Sequence, residues 1–376
     1  MLDCIVVGAG PAGGSAAYHL ARRDRQVLLL EQAKLPRLKA CAGGVSPQVA
    51  RWFDCDLRSV VDHGVDRLRF TWKLGDPVEA ELPSAEPFWM VRRDRFDHFL
   101  VEQAANLGAR VEDGATVTAV SAEGDGWLVS LGDRAYRCRY LIAADGAKGS
   151  LAQWLGFPSQ KRRYAQACEL DIPLTERPDS TAHFEFGLVR NGYIWVFPKS
   201  DGYSIGIGTF RGNEETDFRG LLATYLDGFG LSADLDRILP HPLCIWDGSQ
   251  PLHRGSALLV GEAASLTDPF TAEGIRPALL SGMRAAEAID RAIAGESKAL
   301  AGYSRTIQQE WGDSMAWAKR ISSVFYRVPN LGYQIGIKRP TAPQRMAQIL
   351  VGELDYSDIA TRVIRRLTTG FLPGMR

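Results

Sequence analysis

Gly8, Gly10 and Gly13 stand in the run GAGPAG directly after DCIVV (3–7), and Glu31 closes the apolar run VLLLE, eighteen residues beyond Gly13. These residue types at this spacing suit a dinucleotide. Gly8 makes a tight turn, Gly10 lets the backbone approach a pyrophosphate, and Gly13, just past Ala12, allows close packing of helix on strand. The helix start supplies free N–H groups and the positive end of its dipole. Glu31 lies where a carboxylate accepts hydrogen bonds from a ribose diol.

Two later segments indicate which dinucleotide. Asp145 and Gly146 close the apolar run YLIAAD, and LLVGEAASLTDPFTAEGIRPAL carries Gly261, Glu262, Gly274 and Ile275 between a strand and a helix. A second acid at a strand end offers a ribityl chain an acceptor for its hydroxyls. A glycine-rich turn into a helix start offers backbone donors to a flavin carbonyl. Either segment alone reads equally as an ordinary capping loop.

The elements that must position these residues follow from the same pattern. Short apolar runs at 3–7, 27–31, 140–145 and 257–260 alternate with helical stretches at 14–24, from Arg93, and from about Pro277. That predicts a doubly wound parallel sheet. LRFTW, VEAEL and FWMV between 65 and 90 read as antiparallel strands, as do HFEFG, YIWVFP and YSIGIGTF between 151 and 250. The fold class is therefore α/β: a Rossmann-like domain (1–64, 93–150, 251–310) with an inserted antiparallel-sheet domain (65–92, 151–250) and a C-terminal helical segment (311–376).

Composition narrows the class. The chain has 376 residues, 45 % hydrophobic and 23 % charged, enough to bury a large core without cross-links. Lys+Arg and Asp+Glu both number 44, so total charge gives no indication of nucleic acid. The six cysteines include no CxxC pair, which suits reduced thiols in a cytoplasmic setting and no structural metal. The N-terminus starts acidic rather than basic, unlike a secretion signal, and no run of 18 apolar residues suggests a membrane span. His19, His63, His98, His183, His241 and His253 form no metal-binding spacing. The charge is uneven. Met315–Arg376 carries ten Lys/Arg against Glu353, Asp355 and Asp358. A basic, aromatic-rich tail fits either peripheral contact with a membrane or a helical brace on the body.

GAGPAG with Glu31, AADG and GEAASLTDPFTAEGI resemble the three FAD fingerprints of the para-hydroxybenzoate hydroxylase-type flavoproteins. Within them, KACAGG (39–44), RRDRFDHFL (92–100), YIWVFPK (193–199) and GELDYSDI (352–359) resemble the geranylgeranyl reductase family. The resemblance implies FAD, reduced by NADPH or a protein donor, and a hydride delivered to an isoprenoid double bond in a lipid or prenylated pigment. It places Cys41, Ala42 and Gly44 against the flavin, Arg93 near the pyrophosphate or adenine, and Val117 at a strand position touching adenine. Cys41, or a water near Gly44 and Gly274, is the candidate proton donor, although Cys41 also reads as a packing residue.

As a strand, YIWVFPK puts Tyr193, Trp195 and Phe197 on one face and Ile194 and Val196 on the other. The residues alone permit a plain core face, while the resemblance makes the aromatics a substrate wall over the flavin. Lys199 reads as a solvated turn residue, and Arg92 and Arg95 as surface charges. Ala42 and Ser265 replace residues that are commonly Gly, and Glu262 one that is commonly Asp. Trp317, Ile321, Val324, Phe325, Tyr326, Val328, Leu331, Tyr333 and Ile335 suffice to line a tunnel mouth. Arg362, Arg365 and Arg366 are placed to meet a diphosphate or headgroups. Two rivals remain at this point: an aromatic monooxygenase or halogenase on the same fold, and a non-catalytic prenyl-lipid or pigment carrier that keeps flavin as a structural element.

Overall fold

The computed structural model describes residues 1–82, 86–158, 162–210 and 216–361. Its central sheet is built from the apolar runs named above. Strand Leu2–Val7 lies between Val27–Glu31 and Arg134–Ala143, parallel to both, and Arg110–Asp113 and Ala257–Leu259 extend the parallel order on either side. The hairpin Ala119–Glu123/Gly126–Leu131 adds antiparallel strands to Arg134–Ala143. A Rossmann-like FAD-type domain, an antiparallel sheet and C-terminal helices are all present, as the sequence predicts.

The helix expected over 14–24 runs Pro11–Ala21, three residues earlier. Pro11 takes the first helical position, where its missing N–H would have had no partner anyway. This helix is buried on every side, between the sheet and helices Arg93–Asn106 and Ile275–Ile293. Small residues make that possible: a Cβ on Gly282 would overlap the carbonyl oxygen of Ala12.

The second sheet runs Leu239–Pro240, Arg163–Pro173, Gly202–Thr209, Gly192–Lys199, Thr181–Phe186, Arg67–Trp72, Gly75–Glu81. Its pairs are antiparallel except Thr181–Phe186 with Arg67–Trp72, which is parallel. Helix Phe218–Phe229 covers one face through Leu222, Tyr225 and Leu226, which meet Ile194, Val196, Ile205 and Ile207. The other face turns to the central domain. FWMV does not join this sheet. Strand Phe88–Val91 pairs with Gly44–Val45 and Val61–Val65 in a separate three-stranded sheet, which ties it to the KACAGG loop.

The C-terminal helices pack inward. Phe325, Tyr326 and Tyr333 are buried against Phe186, Phe210 and Phe270, and the Tyr333 hydroxyl donates to the carbonyls of Phe70 (3.1 Å) and Asp76 (2.6 Å). Among the described residues no helix is long and apolar enough to cross a membrane.

The Gly282 contact sets a prediction. Gly282→Ala should lower stability by about 1–3 kcal/mol, because the helices must separate to admit a methyl group. Denaturant unfolding of the two proteins measures it, and an unchanged midpoint would contradict the close packing.

Candidate active site

Gly8 ends the first strand with φ +104, and a side chain there would overlap the carbonyl of Ala144. Gly10 caps the first helix and no side chain bonds its N-terminal amides, so these remain available to an anion. The Glu31 carboxylate is buried and accepts from Ala9 N (2.8 Å) and Ala33 N (3.0 Å), which locks the turn to the end of the second strand.

Two guanidinium groups stand over the turn, with Arg37 Nη2 3.7 Å and Arg93 Nη2 4.0 Å from where a Cβ on Gly10 would lie. Both rest on buried Asp97: Arg93 Nε at 2.8 Å and Arg37 Nη1 at 3.2 Å. Burial opposes the charge on Arg93, but Asp97 and Cys41 beside it keep the guanidinium firmly protonated. Asp97 was legible as the i+4 helical neighbour of Arg93. Arg37 gave no local signal. Arg95 is exposed, while Arg92 is half-buried and paired with Asp62 at 3.0 Å.

Asp145 Oδ2 accepts from Leu151 N at 2.8 Å, whereas its buried Oδ1 has no partner. Burial raises the pKa of this carboxyl, and Leu151 N opposes the rise. An unpartnered buried acceptor beside Gly146 is what a ligand hydroxyl would satisfy. Gly261 N donates to Ser281 Oγ (2.9 Å), and Glu262 accepts from Cys244 N (3.3 Å). Ser265 holds φ +54, the left-handed region, which accounts for the usual glycine there; its hydroxyl meets the Cys244 sulfur at 3.1 Å. Gly274 caps helix Ile275–Ile293, again with no side chain on its amides. The loop before it is fixed by buried Asp268, which accepts from Phe270 N (2.7 Å), Thr271 N (3.2 Å) and the Tyr356 hydroxyl (2.8 Å). Tyr356 belongs to GELDYSDI, so that motif acts here as a remote clamp.

Val117 is a correction. It lies half-buried between Arg110–Asp113 and Ala119–Glu123, not in a strand.

A cleft opens between the two sheets. Cys41, Ala42 and Gly44 line one side, Gly274 and Ile275 another, and Tyr193, Trp195 and Phe197 the sheet side, joined by Phe88, Phe184, Ala167, Glu169 and His241. The three aromatics share one face, as the alternation predicts. Trp195 lies flat across Gly206, where any Cβ would overlap its ring, and its indole N–H is buried without a partner. The Tyr193 hydroxyl donates to Thr271 O at 2.6 Å, tying the wall to the Gly274 loop.

Lys199 is the second correction. It is buried at the end of its strand, and Nζ donates to Ala42 O (2.6 Å) and Val91 O (3.0 Å). Parity from Tyr193 already placed it on the cleft face; its charge suggested solvent. Glu169 was missed altogether. The nine tail residues from Trp317 to Ile335 do not line the cleft. Arg362, Arg365 and Arg366 lie outside the described residues. Among the described residues no group of three His, Cys, Asp or Glu is placed to hold a metal ion.

The residues present fit FAD. The Gly10 amides with Arg37 and Arg93 would hold the pyrophosphate, Glu31 the ribose, Asp145 a ribityl hydroxyl, and the Gly274 amides a flavin carbonyl. Comparison with known proteins agrees. Residues 1–186 match the FAD binding domain family. The chain is 33 % identical over 312 residues to a menaquinone reductase of Mycobacterium tuberculosis, covering 77 % of this chain and 76 % of that one. It is 28 % identical over 347 residues to digeranylgeranylglycerophospholipid reductase 1 of Methanothermobacter thermautotrophicus, covering 84 % of each. A solved geranylgeranyl bacteriochlorophyll reductase-like protein of Thermoplasma acidophilum shares the fold with a TM-score of 0.79 at 22 % identity, covering 95 % of this chain and 93 % of that one. Fold and site thus define an FAD-dependent oxidoreductase. The chain belongs to the geranylgeranyl reductase family of these enzymes.

Asp145→Ala should weaken FAD binding roughly ten- to a hundredfold, the worth of about 1.5–3 kcal/mol for a hydrogen bond to a charged group. Titration of the apoprotein followed by flavin fluorescence measures it. An unchanged affinity would remove Asp145 from the cofactor contacts.

Proposed function

We propose that the protein saturates carbon–carbon double bonds of an isoprenoid chain of the geranylgeranyl type. One observation carries the reading: the wall of Tyr193, Trp195 and Phe197 faces the Cys41–Gly44 loop and Gly274 across a cleft with few polar groups. Reduced FAD, replenished by NADPH or a protein donor, supplies the hydride. An isolated alkene has no carbonyl to activate, so the chain's residues contribute by orienting it and excluding water. The flat aromatic faces grip a branched polyene along its length, and the ties from Tyr193 to Thr271 and from Lys199 to Ala42 keep the walls in register. The names of the two relatives support the substrate class, since menaquinone and digeranylgeranylglycerophospholipid both carry isoprenoid chains.

The long substrate suggests docking at a lipid surface. Val324 on helix Asp313–Arg327, Leu331 and Ile335 on helix Pro329–Gly336, and Val328 between the two are exposed, close in sequence to exposed Arg327 and Arg339. Val328→Glu with Leu331→Glu should reduce co-sedimentation with anionic vesicles and leave FAD binding intact. Equal sedimentation of both proteins would refute this docking face.

The reaction is tested by photoreducing the holoenzyme without oxygen and adding geranylgeranyl diphosphate, a digeranylgeranylglycerophospholipid or menaquinone. The expected result is flavin reoxidation with two hydrogens gained per prenyl double bond in the product mass. Reduction confined to the quinone ring counts against the reading, as does oxygen-dependent turnover with an aromatic substrate, or a flavin that none of these reoxidises.

A further inference from the structure

The geometry points to Glu169 as the acid that protonates the alkene, with Lys199 as the positioning cation that stabilises the carboxylate left behind. This inference rests on the reductase reading above. Along strand Arg163–Pro173, Cys168, Leu170 and Ile172 pack under helix Phe218–Phe229, while Glu169 faces the cleft beside Ala167. Glu169 is buried and pairs across the sheet with Gly206, which in turn pairs with Trp195, so acid and indole flank the same glycine. Its Oε1 accepts from Ser204 Oγ (2.6 Å) and from the backbone N–H of Cys41 (3.2 Å). Nothing among the described residues donates to Oε2, which leaves that oxygen to carry a proton into the cleft. Cys41, the donor expected from sequence, meets Glu169 through its backbone.

Burial pushes the Glu169 carboxyl up to about 7; the Ser204 hydroxyl and Lys199 pull it down, and Asp171 on the same strand pushes it up. Burial likewise lowers Lys199, with Glu169 opposing. The other titratable groups around the cleft are the Cys41 and Cys168 thiols, the Tyr193 hydroxyl, His241 and Glu273. Glu273 is ion-paired with Arg276 at 3.0 Å, whereas Glu169 lies on the wall that would hold the polyene.

The step balances simply. Reduced flavin, when bound, would supply the hydride for one alkene carbon, and as it arrives the O–H of Glu169 would break and its proton bond to the other. The carboxylate that remains is held by Ser204 and the Cys41 N–H, with the nearby Lys199 ammonium favouring its charge, until solvent returns a proton. The acid form exists below the folded pKa, so raising the pH through about 7 removes the donor.

Glu169→Gln keeps the size of the side chain and an acceptor for Ser204 and Cys41 but cannot give up a proton. FAD affinity and photoreduction should match wild type, while anaerobic reoxidation by geranylgeranyl diphosphate slows about 10²- to 10⁴-fold. The wild-type rate should fall tenfold per pH unit above about 7, and this break should be absent from the variant. Independently of turnover, infrared difference spectra should show a protonated-carboxyl band that disappears through the same pH range and is missing in Glu169→Gln. Ser204→Ala, which removes a bond favouring the carboxylate, should move band and break to higher pH. A Glu169→Gln protein with wild-type rate and break, or a wild type with no such band at pH 6, overturns the donor role alone. A wild-type flavin that no prenyl substrate reoxidises overturns the reductase reading and the donor role with it.

Discussion

Lys199 puts an ammonium where the two sheets and the KACAGG loop meet, and the surroundings of the cleft are arranged around that buried charge. Its donors go to the carbonyls of Ala42 and Val91, one in the loop and one in the small sheet, while the lysine itself ends the aromatic strand. One side chain therefore fixes the distance between the cofactor side and the substrate side. A buried ammonium with only carbonyl partners would lose its proton, because desolvation disfavours the charged form. Glu169 nearby opposes that loss once it is a carboxylate, so the ammonium is favoured as the acid gives up its proton. Wall position and proton chemistry are thus consequences of one contact.

The opposite wall is held from further away in the chain. Asp268 gathers two amides of its own loop and the hydroxyl of Tyr356, so the turn leading to Gly274 depends on a residue near the end of the described chain. Trp311 adds a donor to Leu266 O at 2.7 Å, and Ser322 one to Pro269 O at 2.9 Å. Phe325 packs edge-on against both Phe186 and Phe270, joining the aromatic sheet to the same loop. The C-terminal helices are a brace for the cleft's geometry.

How much of this could be read from the sequence depends on range. The glycine turn, Glu31 and the strand after it are local, and the apolar runs fix their elements within a few residues. The face alternation of YIWVFPK was legible for the same reason. Charged residues misled. Lys199 obeys the parity of Tyr193, Trp195 and Phe197, but a lysine after a proline suggests solvent. Glu169 was hidden because its strand is buried on both faces from Ala167 to Leu170, so there was no alternation against which an acid could stand out. Arg37 is held over Gly10 by Asp97, 60 positions away, and by Glu31, 3.5 Å from its Nε, and no sequence pattern marked it for either contact. Tyr356 was recognised as part of a motif without its partner, which is 88 positions away.

The cleft holds two carboxyl groups, Glu169 and Glu273, each pushed up to about 7 by burial. Their neighbours separate their roles. Glu273 directly precedes the N-cap Gly274 and pairs with Arg276, the second residue of the helix it introduces. A helix N-terminus and a guanidinium both favour the ionised form. An acid so placed is tied through Arg276 to the helix it introduces. Glu169 stands on a sheet, which has almost no net dipole, among aromatic rings and a hydroxyl. Its one strong cation is already engaged by two carbonyl oxygens. Of the two acids, Glu169 can exchange its proton without breaking a structural tie, and two titratable groups in contrasting surroundings are what acid–base chemistry in a dry cleft requires.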